Sequence, residues 1–296
     1  MADVLAKGSL FPEILVPELI NLVKGHSSLA KMVGDTPIAF AGNREFTFTL
    51  DKEIDVVAEN GAKTKGGATI TPVTIVPIKV EYGARVSDEF MYASEEAQLN
   101  ILRGFAEGFA KKLARGLDIM AMHGYNPRTG NASNVIGTNH FDSKVTNVVN
   151  TTNDADVDVE SAVAMLTASD AQATGLIVAP TFRASLASAK TSDGARLYPE
   201  LAWGANPANL NGLAFDANPT MAFSSNPDKA LVGDFEAFKW GYAKEIPMQV
   251  IEYGNPDNDA TLGDLKGHNQ VYLRAEAYIG WGILDASAFA IVRTKV

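Results

Sequence analysis

The chain has 296 residues and a mass of 31.5 kDa, with 46% hydrophobic and 20% charged residues. It can therefore bury a core and is not disordered by composition. The net charge of −10 argues against tight binding to a nucleic-acid backbone, which requires clustered lysine and arginine. The absence of cysteine excludes disulfides, thiolate metal sites and cysteine nucleophiles, and fits a reducing compartment. No apolar stretch approaches the roughly 18 residues that suggest a membrane span.

The N-terminal segment is predicted to be a flexible arm followed by a helix. Residues 1–12 carry no hydrophobic pattern, as is usual for a mobile terminus. Apolar side chains between Ile14 and Val23 recur at helical spacing, which predicts a helix over 13–32. Residues 34–37 end this predicted helix.

A long two-stranded excursion is predicted between residues 44 and 76. Strict alternation over 44–50 indicates a strand with one covered face, and 54–58 is interpreted as its continuation. Asn60-Gly61 is a hairpin signal, and 68–86 returns as extended chain. Two prolines in the return strand, Pro72 and Pro77, predict that it lies at a sheet edge or is interrupted. Because two strands bury little surface, this hairpin needs something to lie against.

The longest helical pattern runs from about residue 88 to 122 and opens at Ser87. A helix of this length is on the order of 50 Å long. Gly104, Gly108 and Gly116 lie inside it and cost ~1 kcal/mol each relative to alanine, which predicts close packing against another backbone. One apolar face recurs with a mean step of 3.6 residues: Leu102, Phe105, Phe109, Leu113, Leu117 and Met120.

The second half of the chain mixes helices with short strands. A helix over 157–173, a buried strand over 176–179 and a well-capped helix over 181–190 indicate a small α/β layer. A polar loop is predicted over 255–267. Further strands are predicted at 213–215, 220–223, 229–232, 238–243, 248–253, 270–283 and 288–293.

Histidines and lysines give no sign of catalysis. Lys63 and Lys65 at the hairpin tip are interpreted as solubilising charges. Four histidines match no metal-binding motif and are interpreted as surface or boundary residues: His26, His123, His140 and His268.

Two groups of acidic residues also show no catalytic or metal-binding pattern. Asp257, Asp259 and Asp264 loosely resemble a calcium loop but lack its glycine spacing and terminal glutamate, so a solvated loop is predicted. The second group crowds a helix start, where acids suit the helix dipole: Asp154, Asp156, Asp158 and Glu160. We therefore predict no catalytic, cofactor-binding or metal-binding residues and no enzymatic activity.

The shape of the predicted elements is more informative than their chemistry. An arm, a long unsupported hairpin and a very long helix cannot all bury their apolar faces within one chain. The sequence therefore predicts a protein that assembles with copies of itself.

Short fragments along residues 13–296 form an ordered series of motifs. Leu231-Val-Gly-Asp-Phe235 matches the pattern L-x-G-D-F directly. The others are 24–29, 57–64, 80–90, 118–124, 176–180, 194–197 and 273–276 with 288–289. In this order the series resembles the major capsid proteins of tailed bacteriophages, which have the Hong Kong 97-type fold.

The resemblance implies an α+β chain with the Hong Kong 97-type capsid fold. The implied parts are an N-terminal arm and first helix (1–36) and an extended loop hairpin with flanking strands (37–80). A peripheral domain with a long spine helix (81–149) and an axial α/β domain (150–262) follow. Return strands (263–296) complete both domains.

The implied function is a structural shell protein. Homo-pentamers and homo-hexamers would tile an icosahedral virion capsid around double-stranded DNA, without sequence-specific binding and without a membrane. Assembly would take place in the host cytoplasm, with a separate scaffolding protein, a portal and a decoration protein as further partners. The short arm implies either a separate scaffold or an already mature chain. An acidic inner wall would avoid phosphate contacts that oppose packing and ejection.

The hairpin would lie over an adjacent subunit, with Phe46 and Phe48 anchoring its base. Some relatives cross-link subunits through a lysine in this loop. Lys63 or Lys65 would take that place, but no partner asparagine aligns, so the cross-link is not predicted.

Two alternatives stay open at this point. An encapsulin-type nanocompartment has the same fold and encloses cargo enzymes. A soluble α/β enzyme would use acids of the 154–160 or 257–264 segments, and would be a compact monomer or small oligomer with two carboxylates facing each other in a pocket.

Overall fold

The structure is a computed structural model that describes residues 26–244 and 248–295. In these ranges the helices are α1 Ser28–Met32, α2 Glu95–His123, α3 Phe141–Lys144, α4 Ala155–Ala168 and α5 Pro180–Ser188. The strands are β1 Asn43–Leu50, β2 Ala68–Ile75, β3 Ile78–Ser87, β4 Asn147–Asn150, β5 Gly175–Val178, β6 Asn209–Leu210, β7 Leu213–Ala217, β8 Asp228–Gly233, β9 Phe238–Lys244, β10 Met248–Ile251, β11 Gln270–Ile283 and β12 Phe289–Arg293. The 3₁₀ turns are Asp88–Tyr92, Pro199–Gly204, Pro219–Ser225, Phe235–Ala237 and Lys266–His268.

A six-stranded mixed sheet with the order β4-β12-β8-β5-β7-β6 forms the main core. Its central strands are continuous apolar runs, and Leu176, Ile177, Leu231 and Val232 are at most 2% exposed. A strand buried on both faces has this composition, whereas a one-faced strand alternates. Helix α4 packs on β8 and β12, and α5 packs on β8. The predicted α/β layer is therefore confirmed.

The second sheet is built around β11, whose predicted range of 270–283 is confirmed. Strand β3 pairs with its first ten residues, β10 with residues 272–275 and β9 with its last six. Trp281 lies opposite Trp240, and both indoles are fully buried. Their ring nitrogens donate to the carbonyl oxygens of Asn139 and Val33, each at 2.8 Å. These two hydrogen bonds hold the second sheet against the segments that contain Asn139 and Val33, and we call this contact the seam of the second sheet.

The predicted hairpin is confirmed as a separate two-stranded sheet, in which Asn43 pairs with Ile75 and Leu50 with Ala68. The predicted continuation over 54–58 is wrong, because these residues have no partner strand among the described residues, and Ile54 and Val56 are 96% and 94% exposed. The return strand breaks at residues 76–77, where a proline cannot donate to the ladder.

Helix α2 has 29 residues, or about 43 Å at 1.5 Å per residue. Its predicted start at residue 88 is wrong, because Ser87 caps a short 3₁₀ turn and Ser94 caps the α-helix. The end is fixed by Gly124, whose φ of +70° is the left-handed conformation common after a helix. The predicted buried face is confirmed through Leu102, Phe109, Leu113, Leu117 and Met120.

Four smaller predictions are wrong. Residues 220–223 are not a strand, because Asn218 accepts from the Thr220 amide and Pro219 favours a helical first turn. Helix α5 has no side-chain cap and begins with Pro180 instead. Helix α4 ends at Ala168, and Asp170 with a φ of +55° follows it. The predicted arm and helix residues 13–25 lie outside the described residues. In the described part, a continuous helix to residue 32 is wrong, because Ser27 is extended and its hydroxyl caps the separate helix α1.

Candidate assembly surfaces and buried junctions

The hairpin presents one continuous apolar surface, here called the hairpin face. Directly opposed residues of an antiparallel pair project to the same side. The pairs Phe46–Pro72, Phe48–Ile70 and Leu50–Ala68 alternate along the hairpin, so six apolar residues share that side. Phe46, Phe48 and Leu50 are 64%, 65% and 70% exposed. A patch of this kind marks a surface that another molecule covers.

The base of the hairpin is held within the chain by other residues. Ile75 is 2% exposed, and Lys239 Nζ lies 2.9 Å from Glu45 Oε2. Phe46 and Phe48 find no buried position in the described part of their own chain, so their role as anchors on an adjacent subunit stays a prediction. Lys63 and Lys65 are exposed at the tip.

The glycines of α2 do not pack against a backbone within the described part of their own chain, so their close packing against a neighbouring subunit stays a prediction. A Cβ added at Gly104 or Gly108 would meet nothing within 4 Å, and one at Gly116 would make an ordinary contact with Pro127. Leu99 and Ile101 beside them are 37% and 44% exposed. This length of the helix is therefore a second open surface.

A third exposed feature is Trp203, which sequence reasoning did not single out. Its side chain is 99% exposed and its φ is +58°, a conformation that costs a non-glycine residue roughly 1–2 kcal/mol. Arg183, on α5, donates to the carbonyl oxygen of Ala205 and supports the loop that presents the indole.

The N-terminal end of the described chain is tied to α2 by a buried carboxylate, in what we call the Asp118 junction. Asp118 is fully buried and accepts hydrogen bonds from the Ser27 hydroxyl and from the Ser28 and Leu29 amides, the latter two at 2.9 and 3.2 Å. Asn218 and Thr220 donate from the other side at 3.2 and 3.4 Å. Burial raises the pKa of Asp118 to about 6, and these donors hold the pKa below the value that burial alone would give.

A neighbouring carboxylate extends this junction into the six-stranded sheet. Asp216 on β7 is 2% exposed and accepts from the hydroxyl of Ser28. Lys31 Nζ lies 2.7 Å and Asn206 Nδ2 2.9 Å from its Oδ1. Together the two aspartates seat α1 between α2 and the sheet.

A further buried cluster lies at the last residue of α2, one turn beyond Asp118, and we call it the His123 junction. His123 is 2% exposed, so its interpretation as a surface or boundary residue is wrong. Its Nδ1 lies 2.8 Å from Asp142 Oδ2, and its Nε2 lies 3.0 Å from the carbonyl oxygen of Thr220. Arg293 Nε lies 2.9 Å from Oδ1 of the fully buried Asp228. The pKa of Asp228 is raised, chiefly by burial and also by the adjacent Asp142 carboxyl.

The remaining histidines are less enclosed. His140 is half-buried, and burial lowers its pKa. Its imidazole packs so closely on Gly124 that a Cβ added at that glycine would overlap the ring. His26 and His268 are exposed.

The acids of the 257–264 segment do not converge. Asp257 forms a bidentate pair with Arg85 at 2.5 and 2.8 Å, and this pairing lowers its pKa to about 2. Asp259 accepts from two amides of its own turn, and Asp264 accepts from the amides of Gly254 and Lys266. Each carboxylate is therefore used locally, and the calcium-like pattern does not gather into a site.

Three of the four acids of the 154–160 segment have local hydrogen-bond partners. Asp154 caps α4, as the dipole argument predicts. Asp158 is fully buried and accepts from Thr151 and Thr152, while Asp156 accepts from the hydroxyl of Tyr198. These three carboxylates therefore support the start of α4 and its neighbours.

Comparison with known proteins agrees with this architecture. A model of the phage capsid family matches residues 7–294. Similar solved structures include one from Mycobacterium phage Ogopogo, with 33% identity over 91% of this chain and 92% of that chain and a TM-score of 0.77. One from Gordonia phage Cozz has 24% identity over 92% of this chain and 87% of that chain, with a TM-score of 0.75.

More distant likenesses concern the fold alone. The capsid of an empty GTA particle shares 16% identity over 92% of this chain and 90% of that chain, with a TM-score of 0.65. No curated protein matches the chain. In the described ranges, no helix is both long and apolar enough to cross a membrane. With the Hong Kong 97-type capsid fold and a family match over nearly its whole length, the chain belongs to the phage capsid family.

Proposed function

We propose that this chain is the non-enzymatic major capsid protein of a tailed bacteriophage and that its homo-pentamers and homo-hexamers close into an icosahedral shell around double-stranded DNA. The hairpin face carries this proposal. Six apolar residues on a two-stranded sheet have no cover in the described part of their own chain, and a second copy of the chain supplies it.

The energy available from this face is large for a repeated contact. Fully burying a phenylalanine or leucine side chain contributes about 1.5–3 kcal/mol. Phe46, Phe48 and Leu50 together therefore offer several kcal/mol for every hairpin that docks on a neighbouring subunit. Because a shell repeats the contact at every subunit, a modest pairwise gain is sufficient to close it.

The finer organisation belongs to the same proposal. The domain boundaries at 36, 80, 149 and 262 divide arm, hairpin, peripheral domain, axial domain and return strands. The net charge of −10 supports enclosure of DNA without sequence-specific contacts. A separate scaffolding protein, a portal and a decoration protein would act with the chain during assembly in the host cytoplasm, and the finished chain would reside in the virion.

The test is electron microscopy and sedimentation of the purified chain and two variants. We expect closed particles or capsomers from the unmodified chain. Phe48→Asp places a charge on the hairpin face and should leave unassembled subunits. Thr71→Asp, on the other face of the same hairpin, is the matched control and should assemble.

Two outcomes would contradict the proposal. A wild-type chain that remains a compact monomer under all assembly conditions would overturn the shell function. Normal particles from Phe48→Asp would overturn the role of the hairpin face. Particles filled with a host enzyme in place of DNA would favour the nanocompartment alternative.

A further inference from the structure

We propose that the His123 junction binds one divalent transition-metal ion through His123 Nδ1 and one carboxylate oxygen each from Asp142 and Asp228. The three ligand atoms lie within 4.8 Å of one another. They come from the end of α2, from α3 and from the start of β8. The proposal is independent of the proposed shell function, because none of these residues lies on the hairpin face.

The geometry of His123 places a ring nitrogen inside the junction. A carbonyl oxygen can only accept, so the ring nitrogen facing Thr220 at 3.0 Å carries a hydrogen. Nδ1 points the other way and lies 2.8 Å from Asp142 Oδ2 and 3.9 Å from Asp228 Oδ2. A metal ion bound here would take the place of the hydrogen that Nδ1 shares with Asp142.

The side-chain amide of Asn226 does not satisfy all three atoms. Asn226 Oδ1 accepts from the Asp228 amide at 2.9 Å, which fixes the orientation of the side chain. Its Nδ2 consequently donates to Asp142 Oδ2 at 2.8 Å and lies 3.0 Å from His123 Nδ1. Asp228 Oδ2 has no hydrogen-bond partner, although Asp228 is 0% exposed. An unpartnered buried carboxylate oxygen is costly and points to a missing positive charge.

The guanidinium of Arg293 approaches from the opposite side. Arg293 lies 2.9 Å from Asp228 Oδ1 and 3.9 Å from Asp142 Oδ1. Both Oδ2 atoms therefore still face His123. The negative end of the α2 dipole falls at the same place and favours a cation.

The donor set selects the class of metal. One imidazole nitrogen with two carboxylate oxygens suits Zn²⁺ or Mn²⁺, whereas Ca²⁺ and Mg²⁺ prefer oxygen ligands throughout. A metal bound here joins the end of the long helix to the six-stranded sheet. It would therefore strengthen the connection between segments that are 19 and 105 residues from His123 in sequence.

The experiment measures metal content in the untagged chain. The protein is stripped with EDTA, dialysed against Zn²⁺ or Mn²⁺, freed of excess metal and analysed by mass spectrometry of the elements. We expect about one ion per chain in the wild type, and a loss of about tenfold in affinity or more for Asp228→Asn, which removes one oxygen ligand. Asp158→Asn alters a fully buried aspartate outside the junction and should retain the ion.

A measurement on the wild type alone covers the case in which Asp228→Asn fails to fold. Co²⁺-loaded protein should show an X-ray absorption spectrum with one imidazole among nitrogen and oxygen ligands. At a free metal concentration about 100-fold above Kd, the thermal midpoint should rise by about 5–10 °C.

Two results would overturn the site. One is a wild-type chain that binds less than about 0.1 ion after loading, because the three ligands then do not form a metal site. The other is equal metal content in wild type, Asp228→Asn and Asp158→Asn, because the ion then binds elsewhere.

Discussion

The hairpin and the six-stranded sheet are built from similar apolar side chains and differ completely in how these are covered. Strands β1 and β2 have eight residues each, whereas the longest strand of the six-stranded sheet, β8, has six. Yet Phe48 is 65% exposed and Leu231 is 0% exposed. The longer strands are thus the less protected ones.

The difference shows that strand pattern and cover are separate questions. Alternation in β1 requires one covered face, and the continuous run in β5 requires two. Both requirements can be read from the sequence. Helices α4 and α5 meet the second requirement within the chain, whereas nothing in the described residues meets the first. A sheet face that is left uncovered in this way is available as an interface for another copy of the chain.

The largest expected effect breaks the six-stranded sheet. Leu231→Asp places a charge at a fully buried position of the central strand β8. We expect a loss of more than about 4 kcal/mol, because an unpaired buried charge cannot be solvated. Circular dichroism and soluble yield should both report an unfolded chain. A folded Leu231→Asp chain would contradict the assignment of this sheet as the core.

A smaller effect concerns the Asp118 junction and pH. The pKa of Asp118 is raised to about 6 in the folded chain from 3.8, so the folded state holds the proton more tightly than the unfolded state does. Its contribution to stability is fully present below pH 4 and is lost as the pH rises to about 6. The loss should be about 2–3 kcal/mol.

Urea unfolding of the unassembled chain between pH 4 and 7 measures this loss. Asp118→Asn cannot titrate, so the difference between the two stability curves isolates the contribution of Asp118 from that of other groups. A difference that is constant over this pH range would contradict the buried position of the carboxyl.

A gain of stability is expected on the open surface of α2. Gly104→Ala should stabilise the isolated chain by about 1 kcal/mol, because the added methyl group meets open space and alanine is the better helix former. Thermal unfolding of the unassembled chain measures this gain. If a neighbouring subunit packs closely on this surface, the same variant should assemble less well. Unchanged stability would indicate that residue 104 is not in regular helix.

The smallest expected effect on stability is the most informative for the hairpin. Phe48→Asp should change the unfolding free energy of the isolated chain by less than about 0.5 kcal/mol, since the side chain is exposed there. The same substitution should abolish assembly. Chemical denaturation of dilute, unassembled protein provides the measurement. A large destabilisation would mean that the hairpin face is covered by its own chain after all.

Most of the backbone could be predicted because its signals are local. The alternation of β11, the apolar runs of β5 and β8 and the apolar face of α2 each lie within one short stretch. The errors also have local causes. Ile54 and Val56 look like strand residues, but a strand needs a partner, and none lies beside them in the described chain. Ser87 and Ser94 both resemble helix caps, and the sequence does not distinguish between them.

The buried junctions could not be predicted, because their members are far apart in sequence. Ser27 and Asp118 are separated by 91 residues, and His123 and Asn226 by 103. Sequence spacing carries no information about a carboxylate such as Asp118, whose donors come from two distant segments, 27–29 and 218–220. Only the placement of α1 against α2 and the sheet brings them together.

The positions of the three tryptophans make the chain its own reporter. Trp240 and Trp281 are sealed in the seam of the second sheet, while Trp203 stands in solvent. A water-soluble quencher should therefore dim one indole and spare the other two in the native subunit. The emission wavelength would report loss of the folded core. The extent of quenching would report whether another molecule covers Trp203. A single fluorescence titration can thus distinguish a subunit that unfolds from one that binds another molecule at the Trp203 loop.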